Sequence, residues 1–231
     1  MVSLAFAVCA FLIWYNAPLV RIPRTKVLDL VIVILISGIV GARCLHVISN
    51  FDYYKIYPLD IIMLFKGGLA FHGGLIFSFI GGIVFLKMNS IPICPAADLV
   101  APYAALGQAI GRIGCFLNGC CFGKTSGLNY FGVTFPGEAV YRHPAQVYSF
   151  TALLLIYLIL RFMLQKNILK NNLILIYFML HSSQRFFIDF LRGDIIRASF
   201  GFTLSQIISL VIFFIACGIF IWRRLEFNAK I

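Results

Sequence analysis

Several apolar runs of this sequence are interrupted by side chains that could bind or transfer charge. They are Arg43, His72, Asp98, Arg112, Arg185, Asp189 and Arg192. A charge at the centre of a bilayer costs about 3 kcal/mol on insertion scales, so such residues usually pair with one another or face a polar cavity. Because so many occur together, the sequence predicts a functional site within the apolar part of the chain.

The densest set lies in GRIGCFLNGCCFGKTS, residues 111–126. Gln108, Arg112 and Cys115 share one face of a predicted helix, and a strip of small residues, Gly107, Gly111 and Gly114, lies beside it. The helix is expected to break over residues 118–121. An arginine with asparagine and glycine N–H groups nearby is typical of a phosphate site. The alternative is a structural ion pair between Arg112 and either Asp98 or Asp189.

A second candidate segment is LFKGGLAFHGGLIF, residues 64–77. Glycines permit positive φ and close backbone approach, so this segment predicts a non-helical or re-entrant entry into a helix. His72 would then lie near a helix N-terminus, where free N–H groups favour anions. The alternative is an ordinary helix start made more flexible by glycine, with His72 at the membrane–water interface.

A third candidate is HSSQRFFIDFLRGD, residues 181–194. Arg185, Asp189 and Arg192 follow i, i+4, i+7 spacing, so one helix face alternates positive, negative and positive charge. His181 extends that face by one turn. Such a face predicts a polar cavity; a purely structural Arg185–Asp189 pair would leave Arg192 unexplained.

Composition places these segments in a membrane protein. The chain has 231 residues, of which 61% are hydrophobic and only 12% are charged, whereas a soluble domain has about 25% charged residues. We expect an all-α, polytopic membrane protein, a single integral membrane domain over residues 1–231, with about seven transmembrane helices (six as the fallback) around a central polar cavity. The predicted spans are 1–18, 27–49, 72–88, 95–117, 146–164, 171–190 and 203–222.

The net charge of +11 does not indicate a nucleic-acid partner, because the basic residues are clustered. If seven helices alternate, ten of the 19 fall on one side of the membrane, which predicts an external N-terminus and a cytoplasmic C-terminus. Anionic membrane lipids are sufficient partners for such clusters. The ten are Arg21, Arg24, Lys26, Lys87, Arg161, Lys166, Lys170, Arg223, Arg224 and Lys230.

The seven cysteines match no familiar metal-binding spacing, since no CxxC occurs and adjacent cysteines are poor joint ligands for a tetrahedral site. We therefore expect no metal. Cys115, Cys120 and Cys121 are expected to pack or to line the cavity, with a membrane thiol–disulfide function as the alternative.

Four stretches, in this order, resemble the prolipoprotein diacylglyceryl transferases of bacterial lipoprotein maturation. They are FHGGLIF (71–77), GRIGCFLNGCCFG (111–123), RHPAQVY (142–148) and RFFIDFLR (185–192). The resemblance implies a seven-helix enzyme of the bacterial inner membrane with a lateral opening to the bilayer. It implies transfer of the diacylglyceryl group of phosphatidylglycerol to the lipobox cysteine of a prolipoprotein signal peptide, with release of glycerol phosphate and without a cofactor. A family paralogue with altered lipid or acceptor specificity is the alternative.

The resemblance also assigns roles to individual residues. Arg112 and Arg185 match the arginines that hold the lipid phosphate, and His72 matches a histidine proposed to assist deprotonation of the thiol. Asp189 stands where the family usually has a glutamate, and His181 where a tyrosine is common. The substrate-binding residues expected on this basis are Arg43, Arg112, Gly114, Asn118, Gly123, His181, Arg185 and Asp189.

Overall fold

A computed structural model describes residues 1–63, 67–126, 132–135, 140–193 and 201–228, without the side chains of residues 71, 72, 227 and 228. Regular structure in these ranges is helical, apart from isolated bridges between loop residues. The helices are α1 (Val2–Asn16), α2 (Arg24–Ser49), α3 (Phe51–Ile56), α4 (Phe71–Met88), α5 (Ile93–Leu117), α6 (Ala145–Gln165), α7 (Leu173–Leu191) and α8 (Leu204–Asn228). Short 3-10 turns follow α1 and α3, over Ala17–Val20 and Pro58–Ile61.

Each of the seven predicted segments corresponds to a long helix. Their ends agree with the expected ones within three residues, except that α8 continues six residues further than predicted. The sequence did not predict α3 and the 3-10 turn after it, which lie between α2 and α4. Long apolar helices are easy to recognise because their hydropathy is continuous, whereas a helix of six residues has no such signal.

Five helices are long and apolar enough to cross a membrane. They are Val2–Val20, Arg24–Ser49, Ile93–Leu117, Ala145–Gln165 and Leu204–Glu226. A shorter apolar helix covers Gly73–Met88, and α7 is not among the five, since a polar face interrupts its apolar sequence. The chain is therefore a polytopic, all-α membrane protein, as predicted, while seven as the number of spans stays a prediction.

Burial follows the pattern expected of a chain surrounded by lipid. Large apolar side chains such as Phe11, Ile36 and Phe214 are exposed on the long helices. Polar side chains such as Gln146 and Gln206 are almost completely buried. A bilayer requires this distribution, because the lipid tails offer no hydrogen-bond partner to a polar atom.

The chain divides into two compact units, Met1–Leu19 together with Ala97–Ile231, and Val20–Ala96. We refer to them as the arginine unit and the glycine unit and describe each by itself. The single integral membrane domain expected from the sequence stays a prediction.

The glycine unit is built on a close crossing of α2 and α4. A Cβ atom on Gly73 would overlap the carbonyl oxygen of Gly41 and lie 2.6 Å from Cβ of Leu45, so the helices meet here backbone to backbone. The non-helical entry predicted ahead of α4 is present, because Gly67 and Gly68 have φ of 80° and 79°. The two glycine pairs therefore have different roles: Gly67 and Gly68 turn the chain, and Gly73 and Gly74 let α4 approach α2 closely.

Candidate functional site

The arginine unit brings two of the predicted site residues together. Arg112 of α5 and Arg185 of α7 are close enough for their charges to interact, and both act on His181. A hydrogen bond joins the two helices nearby: Nε2 of Gln108 donates to the hydroxyl of Tyr177 at 2.7 Å. Gln108 lies one turn before Arg112, so the bond fixes α5 against α7 beside the arginines.

Arg185 is held by its Nε group alone. Nε donates to the hydroxyl of Ser205 at 2.8 Å and lies 3.4 Å from Oδ1 of Asp189. Oδ1 has no hydrogen-bond partner in the described ranges, so this contact is an ion pair without a hydrogen bond. The Nη groups of Arg185 make no hydrogen bond to any residue that the structure describes. A guanidinium has five N–H donors, so four of them remain for a ligand.

The other oxygen of Asp189 connects the site to the start of α8. Oδ2 accepts a hydrogen bond from the hydroxyl of Thr203 at 3.2 Å. The N–H of Thr203 donates to Oε1 of Gln206 at 2.8 Å, and the N–H of Gln206 donates to Oγ1 of Thr203 at 3.1 Å. This reciprocal pair is a capping box, so the N-terminus of α8 is rigid where it supports the carboxylate.

The sequence signal for that support is TLSQ, residues 203–206, which matches the S/T-x-x-E/Q pattern. LSQIISL, residues 204–210, also resembles the family loosely, but the capping pattern was not used, and Thr203, Ser205 and Gln206 were not predicted as site residues. All three hold Arg185 or Asp189 in place.

Arg112 has a different environment. It is half-buried, and the structure gives its guanidinium no hydrogen-bond or ion-pair partner among the residues it describes. Asp98 is occupied elsewhere, since its carboxylate accepts the backbone N–H of Ile174 at 3.1 Å in the first turn of α7. Asp189 pairs with Arg185. The alternative of a structural pair between Arg112 and either carboxylate is therefore wrong.

The break predicted after α5 is present, and the loop that follows it is hydrogen-bonded to the start of α6 and to the end of α7. Gly119 has φ of 63°, and the chain then runs between the entry of α6 and the exit of α7. The N–H of Gly123 donates to the carbonyl of His143 at 2.8 Å, and the N–H of Lys124 donates to the carbonyl of Leu191 at 2.8 Å. These bonds fix the loop directly beside Arg192, which pairs with Gly123 as an isolated bridge.

Asn118 and Gly114 line a cleft of about 480 Å³ between the start of α1 and the end of α5. Of the predicted strip of small residues, Gly107 and Gly114 meet α1 and its preceding residue: a Cβ would lie 3.1 Å from Sγ of Cys9 and 2.8 Å from Cβ of Met1, respectively. Nothing lies within 4 Å of a Cβ on Gly111, so there the strip opens into the cleft.

His181 completes the polar face of α7. Its ring lies 5.5 Å from the ring of Tyr177, centroid to centroid, one turn before Arg185. The hydrogen bond between Tyr177 and Gln108 therefore positions the histidine as well as the arginines.

The remaining predicted residues belong to the glycine unit. Arg43 is buried, and its five N–H donors reach five backbone carbonyls: those of Ile61, Gly67, Gly68 and Met63, at 2.6–3.3 Å, and that of Asp60. In this structure Arg43 holds the chain that leads into α4. His72 is the second residue of α4, but its side chain lies outside the described residues.

Three cysteines cluster at the end of α5. The sulfur atoms of Cys115, Cys120 and Cys121 all lie within 4.8 Å of one another. Cys115 and Cys120 line the cleft, which confirms the prediction that these cysteines line a cavity. Burial raises the pKa of the Cys121 thiol above its usual value, while the nearby charge of Arg192 partly opposes that increase.

Comparison with known proteins identifies the family of this chain. The sequence model of the prolipoprotein diacylglyceryl transferase family matches residues 1–222. The chain belongs to the prolipoprotein diacylglyceryl transferase family. It is therefore a diacylglyceryl transferase of the membrane, and the family's sequence pattern extends further towards the N-terminus than the stretches quoted above.

Individual relatives carry the name phosphatidylglycerol–prolipoprotein diacylglyceryl transferase. The protein of Bacillus velezensis is 33% identical over 212 residues, which cover 86% of this chain and 77% of the relative. That of Bacillus cereus is 34% identical over 216 residues, covering 88% and 78%. That of Staphylococcus haemolyticus is 29% identical over 221 residues, covering 92% and 78%.

Gly123 gives a test of the fastened loop in this transferase. A Cβ there would lie 2.7 Å from the carbonyl oxygen of His143 and 3.0 Å from that of Leu191, and neither backbone atom can rotate away. We expect Gly123→Ala to destabilise the protein by about 1–3 kcal/mol, seen as a lower Tm in detergent. Gly111→Ala is the matched control, because its Cβ meets open space. Equal Tm values for both variants would contradict the loop geometry.

Proposed function

We propose that this chain transfers the diacylglyceryl group from phosphatidylglycerol to the lipobox cysteine thiol of prolipoproteins, with Arg112 and Arg185 binding the lipid phosphate. The observation that carries the proposal is the pair of interacting guanidiniums: among the described residues, that of Arg112 has no partner and that of Arg185 is held only through Nε. Phosphate oxygens are well suited to such donors, since guanidinium–phosphate hydrogen bonds are charge-assisted and often bidentate.

The charge of the site favours departure of a phosphate. The thiol sulfur attacks the phosphate-bearing carbon of the diacylated glycerol, and a C–S bond forms there. The bond between that carbon and the phosphate oxygen breaks, and its electrons go to the oxygen. The thiol proton leaves with a base, and glycerol phosphate departs with one more negative charge. Two guanidiniums, of which that of Arg185 is oriented by Ser205 and Asp189, stabilise that charge as it develops, in a site where solvent screening is weak.

Asp189 and Ser205 act by positioning Arg185. Both contact Nε, so they orient the guanidinium without occupying the Nη edge. A buried carboxylate also keeps Arg185 from repelling Arg112 and Arg192 at full strength. Asn118, Gly114 and Gly123 are proposed to shape the substrate site, and His181 to line it. The hydrogen bonds of Arg43 support a positioning role for that residue in place of direct phosphate binding.

The two arginines are tested by transfer of labelled diacylglycerol from phosphatidylglycerol to a lipobox peptide. We expect Arg112→Ala and Arg185→Ala each to lower kcat/KM by about 100-fold or more, because a donor to developing charge is lost. Arg185→Lys should rescue little, since lysine cannot present two parallel donors. Arg224→Ala, which removes an exposed charge at the end of α8, is the control. Full turnover in both alanine variants would refute the phosphate role.

His72 is proposed as the acceptor of the thiol proton. A free cysteine thiol has a pKa of about 8.5, so at neutral pH most of the substrate is protonated and a base accelerates the reaction. We expect His72→Ala to lower kcat at neutral pH. The difference in kcat from the unsubstituted protein should become smaller as pH rises, because the thiol then ionises without a base. The arginine variants should gain nothing from higher pH. A defect of His72→Ala that is the same at all pH values would contradict the role of base.

The clustered basic residues support an orientation in the bacterial inner membrane, with the N-terminus outside and the C-terminus in the cytoplasm. Reporter fusions after Ile231 test this. A C-terminal green fluorescent protein should fluoresce, since it folds in the cytoplasm, and a C-terminal alkaline phosphatase should be inactive, since it needs the external compartment. The opposite pair of results would reverse the proposed topology.

A further inference from the structure

The end of α5 folds back so that three cysteines converge. Gly119 and Cys121 both have positive φ, 63° and 62°, and the N–H of Cys120 donates to the carbonyl of Cys115 at 3.1 Å. Cys121 is not a glycine, so its backbone is held in a conformation that most residues avoid. The three sulfur atoms consequently lie within 4.8 Å of one another, although the residues are separated along the chain.

We propose that Cys115, Cys120 and Cys121 form a three-sulfur site for a thiophilic metal cation. A metal–sulfur bond of about 2.3 Å places the sulfurs of one coordination sphere about 3.8–4.0 Å apart. The three observed separations are all at most 4.8 Å, so they exceed that value by about 1 Å or less. Among the described residues, the ligands that this cluster offers are three sulfur atoms, and sulfur selects soft ions such as Cu(I), Zn²⁺ or Cd²⁺ over Mg²⁺ and Ca²⁺.

Positively charged side chains near the three cysteines favour an anionic metal–thiolate complex. Three thiolates around a divalent cation carry a net charge of −1, and around Cu(I) a net charge of −2. The charges of Arg192 and Arg185 both act on Cys121. These charges would stabilise an anionic metal–thiolate complex and so offset part of the cost of burying the Cys121 thiolate.

The loop that carries the cysteines is already fixed, and one side of the cluster is open. Nε2 of Gln146 donates to the carbonyl of Cys120 at 2.7 Å, and the N–H of Gly123 donates to that of His143 at 2.8 Å. Ligands on a preorganised backbone lose little entropy on binding. Cys115 and Cys120 line the cleft of about 480 Å³ described above, which gives an ion a path of entry.

A disulfide is a poorer use of the same residues. Cys120 and Cys121 are adjacent, and a bond between neighbours departs from the usual disulfide geometry. Cys115, Cys120 and Cys121 are not joined by a disulfide in this structure. A metal, unlike a disulfide, can use all three sulfurs of the cluster at once.

The test is titration of the full-length, reduced protein in detergent with Cd²⁺. We expect one equivalent to bind, with the near-ultraviolet absorption of sulfur-to-cadmium charge transfer. Cys115→Ser, Cys120→Ser and Cys121→Ser should each lose most of that signal, and Cys44→Ser, which changes an exposed cysteine of α2, should retain it. Cu(I) should displace Cd²⁺, whereas Mg²⁺ should not. This readout is independent of transferase activity.

A second measurement uses the unsubstituted protein and so does not depend on the folding of variants. Cd²⁺ should protect Cys115, Cys120 and Cys121 from alkylation, as measured by mass spectrometry, while Cys44 and Cys94 react as they do without metal. Binding below one equivalent, a signal that survives replacement of all three cysteines by serine, displacement by Mg²⁺, or protection of other cysteines would each overturn the proposal.

Discussion

The buried carboxylate of Asp189 is the constraint on which the arginine unit depends. It is 1% exposed in a chain built largely of hydrocarbon, where an uncompensated charge is expensive. Arg185 lies 3.4 Å away and Thr203 donates to the other oxygen, so compensation comes from α7 itself and from the start of α8. The capping box of Thr203 and Gln206 follows from the same need, because a frayed helix end would leave the carboxylate exposed to lipid.

Besides Asp189, two further charged side chains act on Arg185. Arg112 and Arg192 both repel it, and Asp98 is already engaged by the N-terminus of α7. Like charges in a poorly screened environment destabilise the fold unless an anion arrives. Under the proposed function, the phosphodiester headgroup of phosphatidylglycerol would supply that anion, and its binding free energy would offset the repulsion among the arginines.

Local patterns of the sequence predicted the parts of this arrangement that one helix determines. The charged face of α7 follows from i, i+4 spacing, and the long helices follow from continuous hydropathy. Arg43 could not be understood in this way, since its acceptors are backbone carbonyls whose positions depend on two positive-φ glycines. The sequence grouped Cys115, Cys120 and Cys121 but gave no reason to expect a metal, because spacing rules describe side chains on regular elements and Cys121 lies in a left-handed turn.

The arginines and the cysteines share one scaffold, and this has a thermodynamic consequence for both proposals. The loop after α5 is bonded to the start of α6 and to the end of α7, so neither cluster can move far from the other. A lipid phosphate on Arg185 and an anionic metal–thiolate complex beside Arg192 would draw on the same positive charge. Because coupling between two binding sites is reciprocal, each ligand would weaken the other by the same factor. A bound thiophilic metal would thus lower the affinity for phosphatidylglycerol electrostatically, through the arginines, without contacting the lipid.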